Sequence, residues 1–210
     1  MNPSLSTPVR VIKIGGSLLE LPELTCRLED WLTQQPPMLN FCIVGGGQPV
    51  QKIKDVARTI DSAKSHWAAI QQMDRHAISL SQTSQRWSFF DSPDSLHESL
   101  ATTLNFIGME AWLRNTIVCL PESWDVTSDS IAVVLARYLN AKELTLLKST
   151  LPPRDKSLTQ LIDMGFVDRY FETALTSAED SQLSPLEQLK IVNFRDEKFA
   201  AQSLRRPGSR

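Results

Sequence analysis

Val9-Arg10-Val11-Ile12-Lys13-Ile14 runs directly into Gly15-Gly16-Ser17, and later Phe41-Cys42-Ile43-Val44 runs into Gly45-Gly46-Gly47. Each is a β-branched or fully apolar run closed by glycine, the pattern of a buried strand and a tight turn. Each turn leads into a helical pattern. Glu23 to Gln34 spaces Leu24, Leu28, Trp31 and Leu32 along one helix face before Pro36-Pro37 stops it, and Gln51 to Thr59 forms a helix opened by Pro49. Two such units predict an α/β fold with parallel strands, right-handed crossovers and helices on both faces of the sheet.

Outward from these units, Ser62 to Leu80 places Trp67, Ile70, Met73, Ala77 and Leu80 on one side of a helix. Trp87-Ser88-Phe89-Phe90 reads as a strand and Leu96 to Leu104 as a short helix. Glu110-Ala111-Trp112-Leu113 leads into a strand over Thr116 to Leu120, ended by Pro121. Thr127 or Ser128 caps a helix from Ser130 to Leu139, with Asn140 at a left-handed C-terminal position. Then come a strand over Glu143 to Leu147, a helix over Leu158 to Met164 ended by Gly165, another over Val167 to Leu175, and a closing strand over Gln188 to Asn193. The segment 1–204 is expected to form one domain and 205–210 a disordered tail.

Of 210 residues, 41% are hydrophobic and 22% charged, an ordinary globular balance. A net charge of −2 gives no overall pull toward nucleic acid or anionic lipid. Neither class of partner is expected. Cys26, Cys42 and Cys119 stand singly in apolar surroundings and read as reduced core residues. No basic lead followed by an apolar run and no membrane-length apolar stretch is present, so a cytoplasmic location is expected.

A glycine turn between strand and helix leaves N–H groups beside the positive end of a helix dipole, which suits a phosphate. Neither turn matches GxGxxG or GxxxxGK[ST]. For either alone, a crossover turn needing positive φ explains the glycines, but two at equivalent strand ends favour phosphate binding. Lys13 lies on a strand of otherwise mostly Val and Ile, where a lysine is costly unless its ammonium meets an anion at the strand's carboxyl end. Asp129, in Ser128-Asp129-Ser130, either orients such a lysine or interacts with a helix N-terminus. His66, His76 and His97 lack metal-ligand spacing, and no metal-ligating set is expected.

Taken in order, Val11-Ile12-Lys13-Ile14-Gly15-Gly16-Ser17-Leu18, Ile43-Val44-Gly45-Gly46-Gly47 and Thr127-Ser128-Asp129-Ser130-Ile131-Ala132, leading to Leu144-Thr145-Leu146-Leu147, resemble the amino acid kinase family. Carbamate, acetylglutamate, aspartate, uridylate and isopentenyl phosphate kinases belong to it. The resemblance implies a three-layer αβα sandwich with an acceptor-side lobe over about 9–120 and a nucleotide-side lobe over about 121–195. It implies transfer of the γ-phosphoryl of ATP, with Mg²⁺, to a carboxylate or phosphate acceptor, in a homo-oligomer. Lys13 and Asp129 would be catalytic, Lys13 between donor and acceptor phosphates and Asp129 holding the lysines. Gly15, Gly16, Ser17, Gly45, Gly46 and Gly47 would bind phosphate, and Thr127, Ser128, Lys148 and Lys156 would serve the nucleotide. His66 would face the acceptor.

His66-Trp67-Ala68-Ala69-Ile70 with Met73-Asp74, and Gly165-Phe166-Val167-Asp168, resemble the short archaeal-type branch that contains an aminomethylfuran methyl phosphate kinase of methanopterin biosynthesis. Two positions depart from the family pattern. Lys148-Ser149-Thr150-Leu151-Pro152-Pro153 stands where Thr-Asp-Val-Asp-Gly is usual, and the family's second catalytic lysine has no direct match, leaving Lys148 or Lys156 as substitutes. A catalytically silent binding protein of the same fold is the alternative.

Overall fold

A computed structural model describes residues 7–56, 62–93, 103–116, 118–177 and 183–204. Its centre is β1 (Val9–Ile14), fourth in a seven-stranded sheet. On one side lie β2 (Leu39–Val44), β4 (Leu104–Ile107) and β3 (Ser88–Phe90). On the other lie β5 (Glu143–Lys148), β6 (Gln188–Asn193) and β7 (Ala201–Ser203). The order is β3-β4-β2-β1-β5-β6-β7, with every pair parallel except β6–β7. This is the predicted α/β class, and the register sets Lys13 opposite both Ile43 and Leu146.

Strand alternation divides the core as the Val/Ile pattern requires. Val9 and Val11 join Phe41, Ile43, Leu144 and Leu146 in one apolar cluster; Ile12 and Ile14 join Cys42, Val44 and Leu147 in the other. The first is covered by α5 (Ser128–Tyr138), the second by α1 (Leu24–Thr33) through Leu24, Leu28 and Trp31. The long α3 (Ser62–Ser81) supplies Ile70 and Met73 to the first and Ala77 and Leu80 to the second. The remaining helices are α2 (Gly47–Val56), α4 (Glu110–Asn115), α6 (Leu158–Asp163) and α7 (Phe171–Thr176). None of the described helices is long and apolar enough to cross a membrane.

Arg10, the one cation inside that apolar strand besides Lys13, is fully buried and satisfied at the opposite end of the sheet from the glycine turns. It donates to Glu143 Oε1 (2.6 Å), Asn40 Oδ1 (3.0 Å) and the Pro36 carbonyl (3.3 Å). Glu143 also accepts from Thr145 Oγ1 and Lys190 Nζ. Burial would raise the Glu143 carboxyl, but Lys190 and Arg10 hold it below the usual range.

Several expectations are corrected. The strand beside β2 is Leu104–Ile107, so Leu104 begins a strand where the sequence pattern predicts a helix end; residues 96–102 of that helix lie outside those described. The apolar run from Thr116 is coil at 116 and 118–120, with residue 117 not described, because β4 already fills the sheet position. Glu110–Asn115 is instead a helix. β6 does not close the sheet, since β7 adds an antiparallel edge. Only Cys42 is buried; Cys26 and Cys119 are exposed, and all three are free. Helix α2 begins at Gly47 rather than Gln51, and residues 57–59, His97 and the tail 205–210 lie outside the described chain.

Candidate active site

Because β1 and β2 are parallel neighbours, their glycine turns emerge at the same sheet edge and touch. The ladder continues one residue into each turn, with Gly15 N–H donating to Leu147 O (2.9 Å) and Gly45 N–H to Ile14 O (2.8 Å). A Cβ on Gly16 would lie 2.2 Å from Gly47 N, and one on Gly45 would lie 2.7 Å from Gly16 N. Close backbone approach therefore demands glycine here, and positive φ only at Gly47 (φ +60°). Gly16 and Gly46 N–H groups donate to no backbone acceptor among the described residues. Such paired bends with open N–H groups form a cradle for an anion.

Lys13, one residue short of the end of β1, meets Asp129 of α5, which packs over the same face of the sheet. Its Nζ lies 2.9 Å from Asp129 Oδ1, and from the next strand Lys148 Nζ lies 2.7 Å from Oδ2. Lys148 also donates to Phe166 O (2.6 Å). All three charged groups are largely buried. Burial alone would raise the Asp129 carboxyl, but the two ammonium groups hold it at about 2. Burial lowers Lys148, an effect that Asp129 only partly offsets. Asp129 thus remains a carboxylate at neutral pH, and fixes two cations from adjacent strands.

The helix carrying Asp129 is capped from outside its own sequence. Thr127 occupies the N-cap position but makes no capping bond with its side chain. Asp168 instead accepts from Thr127 N (3.0 Å), Thr127 Oγ1 (2.7 Å), Ser130 N (3.0 Å) and Ser130 Oγ. Burial raises the Asp168 carboxyl above its ordinary value despite these donors. At the far end Arg137 donates to the carbonyls of Ala174 (2.6 Å), Ser177 (2.7 Å) and Ser184 (3.3 Å). Both ends of α5 are therefore tied to the α7 region.

Beside Lys148 opens a cleft of about 830 Å³, lined among others by Trp124, Thr127, Asp129, Phe166 and Asp168. Of the two lysines that the sequence leaves open, Lys148 is at Asp129, while Lys156 is exposed and outside the cleft lining. His66 is 5% exposed, with Nδ1 3.0 Å from the Ser123 carbonyl, so it supports the 121–127 loop and does not line the cleft. Burial lowers its pKa. Ser17 is exposed, its carbonyl accepting from Arg195 (3.2 Å), and Ser128 is buried at the start of α5. Sequence reading misses Asp168 as the cap, Arg195, and His76, whose Nδ1 lies 3.1 Å from Gly45 O. The Asp168 link spans about forty residues and leaves no local signal.

No protein-family profile and no curated protein sequence matches the chain. Solved structures do. The chain is similar to a uridylate kinase from Archaeoglobus fulgidus, at 16% identity and TM-score 0.55 over 88% of this chain and 89% of that one. It is similar to a UMP kinase from Bacillus anthracis, at 13% identity and TM-score 0.56 over 91% and 89%. An aspartate kinase from Synechocystis gives 13% identity and TM-score 0.52, over 96% of this chain and 40% of that one. These neighbours share the amino acid kinase fold, and the chain has that fold.

Proposed function

We propose that this protein is a phosphotransferase that moves the γ-phosphoryl group of ATP to a small phosphorylated or carboxylate acceptor. The observation that carries this reading is Asp129, which holds Lys13 and Lys148 on its two oxygens at the sheet edge where the glycine turns meet. Phosphoryl transfer needs little covalent help from a protein; positioning and neutralisation of charge on the phosphoryl oxygens supply most of the rate. Lys13 is placed to meet that charge, Gly16 and Gly46 offer open N–H groups, and Asp129 orients both ammonium groups. Lys148 takes the part of the second lysine. Bound Mg²⁺-ATP supplies the phosphoryl group and a metal carried on its phosphate oxygens.

The first acceptor to try is the aminomethylfuran methyl phosphate of methanopterin biosynthesis, on the resemblance carried by His66 to Asp74 and Gly165 to Asp168. Nucleotide and isoprenoid monophosphates come next. In this reading the protein is cytoplasmic and homo-oligomeric.

Purified protein with Mg²⁺-ATP and this panel should show turnover that Lys13→Ala abolishes while its circular dichroism stays native. Binding of a non-hydrolysable ATP analogue without turnover on any acceptor would favour the silent binding protein, for which the altered segment after Leu147 is the motive.

A further inference from the structure

The two glycine turns leave their N–H groups open in the same way but hold them by different means. In the first turn Leu18 N–H donates to Gly15 O (2.9 Å), which pins the amide joining Gly15 to Gly16 and so fixes the direction of Gly16 N–H. The second turn has no such backbone bond among the described residues. There the carbonyl of Gly45 meets Nδ1 of half-buried His76 at 3.1 Å, reaching across from α3. Peptide planarity sets N–H opposite C=O, so a donor on Gly45 O aims Gly46 N–H away from α3.

Without that donor the amide is free to turn over. Gly45 N–H is taken by Ile14 O (2.8 Å) and Gly46 O by Val50 N–H (3.4 Å), which fixes the amides on either side. Between them lie ψ of Gly45 and φ of Gly46, and a residue without Cβ admits either sign of φ. A half-turn would present Gly45 O, the negative end of the dipole, to an anion. Close approach of Gly45 to Gly16 demands glycine, and the freedom that glycine brings has to be removed from outside the turn. His76 is the one partner of that amide among the described residues. Its ring is itself held, since Gln72, one turn earlier on α3, places Nε2 2.9 Å from His76 Nε2. A carbonyl only accepts, so Nδ1 carries a proton, and in a neutral ring Nε2 then accepts from the Gln72 amide.

We propose that His76 is a positioning residue for phosphate binding, its Nδ1–H holding the Gly45–Gly46 amide with the N–H toward the anion. That the anion is the phosphoryl group in transfer rests on the phosphotransferase reading; the orientation of the amide does not.

Of the eight glycines, Gly16, Gly46 and Gly47 alone follow another glycine, so labelling the full-length protein with ¹³C-carbonyl, ¹⁵N-glycine isolates their amides in a carbonyl-correlated spectrum. The Gly46 signal reads both ends of one amide, the Gly45 carbonyl and the Gly46 N–H. Inorganic phosphate should move it saturably, with affinity weakened about tenfold in His76→Leu and restored to within about threefold in His76→Asn, whose amide nitrogen stands where Nδ1 does. The Gly45 carbonyl shift should change in His76→Leu and recover in His76→Asn. Wild-type protein gives a check that needs no variant, because its imidazole ¹⁵N spectrum should show a protonated Nδ1 at His76. A bare Nδ1, a Gly46 signal that phosphate leaves unmoved or merely drifts, equal affinities in wild type and His76→Leu, or a folded His76→Asn as weak as His76→Leu overturns the proposal. Turnover is assayed on the same samples. His76-dependent phosphate binding at Gly46 without phosphorylation of any acceptor leaves this proposal standing and the phosphotransferase reading fallen; turnover indifferent to His76 does the opposite.

Discussion

Gly16 and Gly47 lie so close that a methyl group on the first would sit 2.2 Å from the backbone nitrogen of the second and 2.7 Å from its Cα. Backbone cannot yield as a flexible side chain can, so Gly16→Ala must push the two turns apart. The expected cost is about 1–3 kcal/mol in urea denaturation, with loss of nucleotide-analogue binding. Gly165, at φ +68° with nothing within 4 Å of where a Cβ would sit, supplies the contrast. Gly165→Ala should cost only the backbone strain, about 1–2 kcal/mol, and leave binding intact. Equal losses of binding in both variants would refute the packing argument.

Asp129→Asn leaves the Lys13 and Lys148 ammonium groups buried without their shared counter-ion. A destabilisation of roughly 3–5 kcal/mol at neutral pH is expected. The folded carboxyl, at about 2, lies below its unfolded value of 3.8, so its stabilisation is complete above about pH 4 and is lost as pH falls through 2. The gap between wild type and variant should therefore close in strong acid. A gap under ~1 kcal/mol at pH 7 would mean that the ion pairs contribute little.

Asp74 presents the opposite sign. It accepts from Met109 N (2.7 Å) and Glu110 N (2.9 Å), yet burial pushes its carboxyl up to about 6, with Glu110 and Asp91 adding repulsion. The folded state holds this proton more tightly than the unfolded state, so stability declines as pH rises from about 4 to about 6 and is level above. Relative to Asp74→Asn, the wild type should lose about 2 kcal/mol across that window, after allowing for water around the carboxyl. Denaturation midpoints of both proteins from pH 4 to pH 8 measure it, and parallel curves would show that Asp74 does not titrate there.

Glu143→Gln should damage stability without touching the site. Glu143 is 1% exposed and balances fully buried Arg10, at the end of β5 away from Lys148. Removing its charge should cost about 3–5 kcal/mol. Calorimetry at a temperature where the variant is folded should give unchanged affinity for the ATP analogue; a large change would show that the two ends of the strand are coupled.

The centre of the fold is readable because its signals are local. β1, β2, β5 and β6 are each built around Val, Ile, Leu or Phe residues, Asn140 does take positive φ, and Lys13 does lie in the middle of the sheet. Where the physics is long-range, reading fails. Leu104–Ile107 is only four residues, with Asn105 inside, and its strand character comes from pairing with β2 rather than from pattern. Residues 118–120 look more like a strand than β4 does, yet they pair with none of the sheet's seven strands. β7 is short and polar, held by β6 alone.

The candidate site divides in the same way. Lys13 and the two glycine turns announce themselves by chemistry that a buried strand end does not otherwise tolerate. The choice between Lys148 and Lys156 needs coordinates, since both follow the same strand and only the first ends at Asp129. His66, which the resemblance assigns to the acceptor, has its ring engaged by the Ser123 carbonyl at 3.0 Å, a partner that no local pattern names.

Every residue from Ser128 to Arg137 is buried, and the helix they form is fastened at its first turn by Asp168 and at its last by Arg137. Such a helix acts as a splint between the sheet and the α7 region, so the Asp129 carboxylate is carried on an element fastened at both ends.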